Sequence, residues 1–380
     1  MKYSLATISL YSLAGSAVTL AAALPKSSRT PTSHIVDVHR DWDALRAAVE
    51  RSARTSSAKR SVYGPSSLDY AGYWFASITA GGQPAQVLLD TGSADLWLVA
   101  PTADPDSTNG VTTWDPAAAS DTTQMSGETF NIGYGQGGNG VSGDVYSTNV
   151  CIDQACATMA VGSATHDQGL GNFPRSGIMG LAFQGGNSVS PDKQPTFMEA
   201  LVPGLDAPIF VTKFTTDGTS QIAFGSNPFD SEPSQTISVD TSDAAPYANS
   251  WSYSGVQYAV NGNNLGTFDV VFDTGGPMTS AAEEIVRGYY AAVQGAVDVN
   301  GDATSWTVPC GTALPDLTLT FGDATATIPG SGFYNGNTST TGDCTVWLVK
   351  ENSATRGVIG DPFFTTHVVT FNQNDATIAW

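Results

Sequence analysis

The chain has 380 residues, of which 41% are hydrophobic and only 13% charged, so it can fold two sizeable lobes and is too apolar to be largely disordered. Its formal net charge of −20 argues against nucleic acid as a partner. Forty glycines and twenty prolines, among many Thr, Ser and Val residues, indicate a turn-rich, all-β protein.

Positive charge is concentrated at the beginning of the chain. Residues 1–60 hold nine of the fifteen Lys and Arg and four of the thirty-five acidic residues, which leaves 6 bases and 31 acids, a formal charge of −25, over residues 61–380. At about pH 3 most of those carboxylates are protonated, and few positive charges are left to repel one another. This composition favours a protein that tolerates acid, although an acidic surface is also typical of many soluble proteins.

Residues 1–23 have the pattern of a secretory signal. One early cation, Lys2, precedes a run of apolar and small residues from Leu5 to Leu20, and Ala21 and Ala23 frame a cleavage site. A membrane anchor is the alternative, but the run is short and interrupted by serines. We therefore predict a secreted, extracellular protein.

Residues 24–60 are basic, rich in Ser and Thr, and end in the dibasic pair Lys59-Arg60. A basic segment ahead of a strongly acidic body predicts a pro-segment that is held by charge and removed near Arg60 by a kexin-type processing enzyme. A disordered linker with a chance dibasic pair is the alternative.

The first lobe, predicted over residues 61–232, contains an apolar strand that ends in a short acidic motif. The run Ala85–Leu89 leads directly into Asp90. An apolar strand followed by a turn places the carboxylate on a rigid element, and a glycine lets the backbone turn sharply behind it. The motif and the tryptophan after it comprise Asp90, Thr91, Gly92, Ser93 and Trp97.

A glycine-rich hairpin is predicted over Phe130–Tyr146. Six glycines surround Tyr134, with strand-like residues on either side. This pattern predicts a mobile lid with one rigid aromatic residue near its tip, which closes over a substrate and excludes water. An ordinary surface hairpin is the alternative.

The second lobe, predicted over residues 233–380, repeats the acidic motif as Asp273, Thr274 and Gly275, again after an apolar run. Paired strands are predicted over Trp251–Val260, and a helix over Ala281–Val293, where apolar residues recur at helical spacing.

A second repeated pair supports an internal duplication. An apolar-apolar-Gly segment ends at Gly180, 90 residues after Asp90, and another ends at Gly360, 87 residues after Asp273. One Asp-Thr-Gly would be weak evidence, because Asp and Gly are ordinary turn residues. Two copies with nearly the same spacing predict two similar lobes, each of which contributes one carboxylate to a shared cleft.

These motifs resemble those of the pepsin-like aspartic proteases, and most closely the secreted fungal, penicillopepsin-type enzymes. The resemblance extends from about Tyr70 to the C-terminus. It implies a bilobal all-β fold with a cleft and a β-hairpin flap, protein or peptide substrates with bulky apolar residues at the cleaved bond, a monomer, and no cofactor, metal or membrane. The segments on which the resemblance is based are Asp90–Ser93 with Trp97, Tyr134-Gly135, Gly177–Phe183, Asp273–Gly275 and Val358–Asp361.

The resemblance also implies individual roles. Asp90 and Asp273 form the catalytic pair: close together they share one proton, and one acts as base toward a water while the other acts as acid. Ser93 bonds to Asp90, Trp97 orients Tyr134, and Thr91 and Thr274 brace the two loops.

Two of the departures from the family pattern bear on specificity and catalysis. Gln136 stands where an acidic flap residue is usual, which predicts poor cleavage after Lys. Gly276 stands where Thr or Ser is usual, which removes a hydrogen bond to Asp273 and predicts a shifted acid limb or lower turnover. These departures keep a rival hypothesis open, a catalytically impaired peptide-binding protein on the same scaffold. A carboxylate-pair glycosidase has no support beyond the two aspartates.

Four cysteines and one glycosylation triplet complete the predicted sites. Cys151 and Cys156 are close enough to close a small hairpin disulfide, although four cysteines leave the connectivity formally open. The resemblance implies that Cys310 pairs with Cys344. Asn337 begins the glycosylation triplet, in what reads as a polar loop.

Overall fold

The computed structural model describes residues 33–40, 73–104, 108, 111–134, 139–168, 176–215, 220–229, 231–242, 248–338, 342–352 and 356–380. About half of these residues lie in β-strands and few in helices, as expected for the predicted all-β fold. The predicted signal over residues 1–23 and the dibasic pair Lys59-Arg60 lie outside the described residues.

The strands of the first part of the chain are, in order, β1 His34–Asp37, β2 His39–Arg40, β3 Trp74–Ala80, β4 Gln83–Asp90, β5 Leu96–Val99, β6 Thr123–Tyr134, β7 Asn139–Ile152, β8 Ala155–Gln168, β9 Gly177–Gly180, β10 Ile209–Lys213, β11 Gln221–Phe224 and β12 Thr236–Ser238. A short helix, α1, spans Phe197–Leu201, and 3₁₀ turns span Gln184–Gly186 and Val202–Gly204.

The remaining strands are β13 Ser252–Val260, β14 Asn263–Phe272, β15 Thr279–Ala281, β16 Val297–Asp298, β17 Trp306–Val308, β18 Leu317–Phe321, β19 Ala324–Ile328, β20 Tyr334–Thr338, β21 Cys344–Val346, β22 Leu348–Lys350, β23 Arg356–Ile359, β24 Val368–Asn372 and β25 Thr377–Ala379. Helices α2 and α3 span Glu283–Tyr290 and Asp361–Phe364, and a 3₁₀ turn spans Gly330–Phe333.

The described strands form four sheets. An eight-stranded sheet has the order β2-β3-β4-β9-β5-β8-β7-β6, and a seven-stranded sheet has the order β19-β18-β13-β14-β23-β15-β22. A six-stranded sheet, β1-β11-β10-β24-β25-β12, combines strands from both sides of the predicted lobe boundary at residues 232 and 233. The fourth sheet has the order β16-β17-β21-β20.

The two motif-bearing strands have equivalent neighbours. Strand β4 pairs in parallel with β9, so that Asp90 lies opposite Gly180, and β14 pairs in parallel with β23, so that Phe272 lies opposite Ile359. Continuous apolar runs are typical of parallel strands that are covered on both faces. The sequence repeat is therefore a structural repeat, in which each acidic motif packs beside its own apolar-apolar-Gly segment.

Aromatic packing surrounds the six-stranded sheet and anchors the strand that leads to Asp273. Phe210 of the six-stranded sheet stacks on Phe371 at 4.6 Å between ring centroids, and Trp251 meets Phe371 at 5.0 Å. Phe272, the residue before Asp273, contacts Phe321 and Phe363. Full burial of one such side chain stabilises the fold by about 1.5–3 kcal/mol. The contacts of Phe272 fix the end of β14, next to Asp273.

Three local predictions were wrong. The helix predicted over Ala281–Val293 is shorter, Glu283–Tyr290, because Ala281 pairs with Lys350 at the end of β15. The segment predicted as paired strands over Trp251–Val260 is one strand, β13, whose partners are β14 and β18. Asn337 lies in strand β20 rather than in a loop, and Ser339 of its triplet lies outside the described residues.

Both disulfides hold neighbouring segments together. Cys151 and Cys156 are opposite each other on the antiparallel pair β7 and β8 and are bonded, with 4.1 Å between their Cα atoms. Cys310, which follows β17, is bonded to Cys344 of β21. Within the described ranges, no helix has the length and apolar character needed to cross a membrane.

Candidate active site

Asp90 and Asp273 approach each other across the ends of β4 and β14. A Cβ atom at Gly275 would lie only 2.6 Å from Asp90 Oδ1, and one at Gly92 would lie only 2.6 Å from Asp273 Cγ. Each carboxyl group therefore lies over the glycine of the opposite loop, and a hydrogen bond links the two side chains. The glycines are required here because any side chain would occupy the space of the facing carboxylate.

The backbone of each loop holds its own carboxylate in the same way. Gly92 N donates to Asp90 Oδ1 at 2.8 Å, and Gly275 N donates to Asp273 Oδ1 at 2.7 Å. Ser93 Oγ also donates to Asp90 Oδ2. Asp90 thus receives one hydrogen bond from the backbone and one from a side chain within its own loop.

The Asp273 loop differs at Gly276, which has no hydroxyl to donate. A Cβ atom at this position would lie 3.5 Å from Asp273 Oδ2, close enough for an attached hydroxyl to reach that oxygen, but only 2.8 Å from Val358 Cγ1. The side chain of Val358 therefore occupies the space into which a larger residue would extend.

A reciprocal pair of threonines joins the loops. Thr91 Oγ1 donates to Phe272 O at 2.7 Å and accepts from Thr274 N at 2.9 Å, while Thr274 Oγ1 donates to Leu89 O at 2.8 Å and accepts from Thr91 N at 3.1 Å. Both side chains are buried. Each of the two hydroxyls and the two backbone N–H groups therefore has its hydrogen-bond partner on the opposite loop. These four hydrogen bonds, called the threonine brace below, fix the distance between the aspartates.

The pKa of Asp273 lies well above its ordinary value. Burial is the largest cause, followed by the negative charge of Asp90 and the hydrogen bond with Asp90, and the Gly275 N–H acts in the opposite direction. The more distant charge of Asp361, to which Trp74 Nε1 donates at 2.7 Å, also raises this pKa. Burial and the neighbouring negative charge therefore favour a proton on this pair of carboxyl groups in acid.

Tyr134, on the strand that leads to the glycine-rich turn, is tied to the Asp90 loop. Trp97 Nε1 donates to Tyr134 Oη at 2.6 Å, and Ser93 is also hydrogen-bonded to this hydroxyl. Burial, and then the charge of Asp90, raise the pKa of Tyr134 well above its ordinary value, so the phenol keeps its proton. Gly135 and Gln136 lie outside the described residues.

A cleft of about 440 Å³ contains both aspartates. This volume is within the range of about 300–1,000 Å³ that is typical of ligand sites. Its described lining has apolar and small residues on several sides and, next to Val358, the charged side chains of Glu351 and Arg356. The small and apolar members are Gly92, Ala94, Ile132, Gly133, Ala182, Gly186, Ala248 and Val358.

The sequence did not predict a buried, hydrogen-bonded aspartate, Asp95, beside the Asp90 loop. Asp95 accepts hydrogen bonds from Ser188 N at 3.1 Å, from Ser188 Oγ at 2.8 Å and from Asn187 Nδ2 at 3.2 Å. Burial raises the pKa of Asp95, and these hydrogen bonds only partly oppose it. The acidic residue before Trp97 was visible in the sequence, but its partners are more than 90 residues away and carry no local signal.

Glu351 and Arg356 were also missed. The one available signal was the alternation in Arg356–Ile359, which places Arg356 and Val358 on the same face of a strand. That strand runs beside β14, which ends next to Asp273.

Comparisons with known proteins agree with this geometry. A sequence model of the family described as Eukaryotic aspartyl protease matches residues 73–380. Penicillopepsin-2 of Penicillium janthinellum is 28% identical over 335 residues, which cover 87% of this chain and 82% of the relative. Aspergillopepsin-1 of Aspergillus fumigatus is 29% identical over 314 residues, which cover 80% of this chain and 77% of the relative.

The fold also matches a solved structure. The crystal structure of the aspartic proteinase from Irpex lacteus superimposes with a TM-score of 0.68 at 15% identity, and covers 92% of this chain and 96% of that one. The predicted bilobal, pepsin-like fold is thereby confirmed. Since the family match extends over most of the chain, this protein belongs to the eukaryotic aspartyl proteases and is an aspartic-type endopeptidase.

Proposed function

We propose that this protein is a secreted endopeptidase that works in acid, with Asp90 as the base and Asp273 as the acid that together activate a water molecule. The observation that carries this proposal is the mutual approach of the two carboxyl groups, each over the glycine of the other loop. Two like charges at this distance cannot both form cheaply, so the pair retains one proton over an acidic range.

The chemistry follows from that shared proton. Asp90 takes a proton from water as the water oxygen forms a bond to the scissile carbonyl carbon, and Asp273 gives its proton to the carbonyl oxygen. The tetrahedral intermediate then breaks its C–N bond: the proton held by Asp90 passes to the leaving nitrogen, and one hydroxyl of the intermediate returns a proton to Asp273 as the carbonyl forms again. The reaction needs no covalent enzyme intermediate.

The surroundings of the pair support a role in orienting the base and protecting the site. Ser93 and Gly92 hold both oxygens of Asp90, so its position is fixed before substrate binds. Tyr134 lies on the hairpin strand β6 and is held by Trp97. We infer that the hairpin closes over a bound peptide and limits access of bulk water.

For substrates, we infer a preference for bulky apolar residues beside the scissile bond. Ile132 and Val358 supply apolar surface, and Ala94, Ala182 and Gly186 leave room because they are small. The prediction of poor cleavage after Lys rests on Gln136, outside the described residues, and stays a prediction.

For biosynthesis, we infer that residues 24–60 act as a pro-segment that is part of the folded precursor. Within it, β1 pairs with β11 at the edge of the six-stranded sheet, and β2 pairs with β3, the strand that precedes β4. A linker without structure would not supply such ladders. Replacing Lys59 and Arg60 by Ala should yield a secreted precursor that keeps this segment, and N-terminal sequencing of the secreted product tests this.

Digestion of haemoglobin at about pH 3, where the carboxylates are mostly protonated, tests the proposed activity. The processed wild-type protein should release peptides, pepstatin should block the release, and Asp90→Asn should abolish it. Folding of the variant is checked by its circular dichroism spectrum.

The rival hypothesis, an impaired peptide-binding protein, is favoured by one observation, the absence of a hydroxyl at Gly276. It predicts that the wild-type protein binds pepstatin but releases no peptide. That result would refute the proposed activity.

A further inference from the structure

The strand that carries Tyr134, β6, is held at two points. At its end, Tyr134 Oη accepts from Trp97 Nε1 at 2.6 Å and is also hydrogen-bonded to Ser93. Nearer its beginning, Thr129 forms an isolated antiparallel bridge with Ser190: Thr129 N donates to Ser190 O at 3.0 Å, and Ser190 N donates to Thr129 O at 2.9 Å. These two points are about 17 Å apart along an extended strand, so together they set its position and its direction.

The bridge at Ser190 is close in sequence to the hydrogen bonds of Asp95. Ser188 donates to Asp95 from its backbone N at 3.1 Å and from its Oγ at 2.8 Å. Asn187 Nδ2 donates to Asp95 Oδ1 and to Ala94 O, both at 3.2 Å. Asp95 and Asn187 are buried, and a buried polar group that loses its partner is costly. The carboxyl group of Asp95 therefore fixes residues 187 and 188.

The short segment from Asn187 to Ser190 is also fixed by its own contacts. Asn187 Oδ1 accepts from Val189 N at 3.1 Å. The side chain of Val189 is buried in the same hydrophobic cluster as Phe130, which belongs to β6. Because the segment is packed and hydrogen-bonded along its length, a shift of Asn187 moves Ser190 and the strand that pairs with it.

The backbone fixes Asp95 relative to Asp90. Gly180 lies opposite Asp90 on the parallel pair β4 and β9, and Gly180 N donates to Asp95 O at 2.8 Å. A Cβ atom at Gly180 would lie only 2.5 Å from Asp95 N, so the two backbones are in direct contact. Asp95 thus connects the strand pair that positions Asp90 with the segment that positions β6.

We propose that Asp95 is a positioning residue, which fixes β6 through residues 187–190. It thereby sets where the Tyr134 hydroxyl lies when the hairpin closes over a bound peptide. This inference rests on the proposed function, in which that closure limits access of bulk water to the two aspartates. Asp95 is not among the described residues that line the cleft, and its effect reaches the reaction through β6.

Three variants test the hydrogen bonds of Asp95 in the cleavage of an apolar fluorogenic peptide at about pH 3. Asp95→Ala removes both oxygens, and kcat should fall about tenfold while KM changes less than about twofold, because a misplaced hairpin affects the transition state more than the bound substrate. Asp95→Asn keeps an oxygen at the Oδ1 position, where both Ser188 groups and Asn187 Nδ2 donate, so it should keep about half of the wild-type kcat or more. Ser188→Ala removes one of these donors and should lower kcat about threefold.

A double-variant cycle shows whether Asp95 acts through Tyr134. Tyr134→Phe removes the hydroxyl that Asp95 is proposed to position, so the addition of Asp95→Ala should lower kcat less than about twofold further. A general loosening of the fold would instead lower kcat by the same factor in both backgrounds. Asp316→Ala is the matched control: Asp316 also accepts from a backbone N–H, that of Gly330 at 2.9 Å, and its loss should leave kcat unchanged in both backgrounds.

Hydrogen exchange tests the same geometry without catalysis. In Asp95→Ala, the backbone amides of β6 between Thr129 and Tyr134 should exchange about threefold faster or more than in the wild-type protein, while those of β13 should not change. If Asp95→Ala does not fold, Ser188→Ala replaces it in this measurement and in the cycle.

The outcomes distinguish this inference from the function on which it rests. An equal fall in kcat in the wild-type and Tyr134→Phe backgrounds refutes the positioning role of Asp95 but leaves the endopeptidase intact, and so does a folded Asp95→Ala variant with the wild-type kcat. A wild-type protein that cleaves no peptide and no haemoglobin refutes the proposed function itself. In that case the exchange of the β6 amides still decides whether Asp95 fixes this strand, and unchanged exchange refutes it.

Discussion

The Asp90 loop and the Asp273 loop have the same backbone hydrogen bonds but differ in the residue that follows their shared Asp-Thr-Gly. In both, an apolar parallel strand ends at the aspartate, a glycine N–H bonds to its Oδ1, and a threonine bonds to the opposite loop. After the glycine, the first loop has Ser93, which donates to Asp90, and the second has Gly276, which has no such donor.

This difference shows that the positions of the two carboxyl groups and their ionisation depend on different parts of the loops. The backbone and the threonines fix where the two carboxyl groups lie, and they do so almost symmetrically. The side-chain donors and burial influence how readily each group ionises. Burial raises the pKa of Asp273, and no hydroxyl within its loop opposes that effect. Duplicated loops can therefore serve as base and acid because their immediate surroundings are unequal.

The largest expected effect is the loss of activity when either aspartate is neutralised. Asp90→Asn removes the base and Asp273→Asn removes the acid, and each should lower kcat by about 10²–10⁴-fold or more. Steady-state cleavage of an apolar peptide at about pH 3 measures both. A variant of either aspartate that keeps near wild-type kcat would contradict the paired mechanism.

The reciprocal hydrogen bonds of Thr91 and Thr274, the threonine brace, are the most symmetrical part of the site. Removing either hydroxyl should therefore destabilise the protein by a similar amount. Thr91→Val and Thr274→Val each leave buried backbone groups without their partner, which should lower the free energy of unfolding by about 1–3 kcal/mol. Denaturant unfolding in acid measures this. Unequal losses, with one variant at the wild-type value, would show that the loops are not braced reciprocally.

The raised pKa of Asp273 should make the free energy of unfolding depend on pH. Between the ordinary aspartate pKa and the raised value, the folded protein binds more protons than the unfolded chain at this site, so the free energy of unfolding falls as pH rises through that window. Asp273→Asn cannot ionise. It should therefore be more stable than the wild-type protein near neutral pH, by about 1–3 kcal/mol, and this advantage should shrink in acid.

A matched control has the opposite sign. The pKa of Asp240 is lowered by its hydrogen bonds from Ser242, so its stabilising effect is present above the ordinary aspartate pKa and is lost as pH falls. Near neutral pH, Asp240→Asn should therefore lower the free energy of unfolding slightly, whereas Asp273→Asn should raise it. In acid, both variants should have nearly the stability of the wild-type protein. Thermal unfolding across pH compares the two variants.

The smallest expected effect tests the asymmetry itself. The side chain of Gly276→Ser would clash with Val358. We therefore expect the new hydroxyl to bond to Asp273 only when Val358→Ala makes room for it. In the double variant the new donor should lower the pKa of Asp273, the proposed acid, and move the alkaline limb of the bell-shaped pH–rate profile to lower pH, within about tenfold in rate, the worth of one hydrogen bond. Val358→Ala is the control, and identical profiles for it and the double variant would remove Gly276 from the explanation.

Sequence alone predicted the parts of this site that depend on short motifs. The two Asp-Thr-Gly repeats, and their similar distances of 90 and 87 residues from Gly180 and Gly360, are signals in the sequence, and the structure brings each repeat beside its glycine segment through a parallel strand pair. The hydrogen bonds of Ser93 and Trp97 followed from the family resemblance and are present in the described residues.

The unpredicted parts depend on contacts between distant segments. The space at Gly276 is set by Val358, the buried Asp95 is satisfied by Asn187 and Ser188, and Ser280 connects Glu351 to β23. The helix over Ala281–Val293 was predicted too long for the same reason, since pairing with β22 overrides the local preference of Ala281. Spacing along the chain does not encode these partners.

The pH dependence of kcat/KM for peptide cleavage by the processed wild-type protein tests the shared proton most directly. One proton held between Asp90 and Asp273 predicts a bell-shaped profile confined to acid, because activity needs one carboxylate ionised and the other protonated. A rate that continues to rise toward neutral pH, where both groups are ionised, would contradict the account.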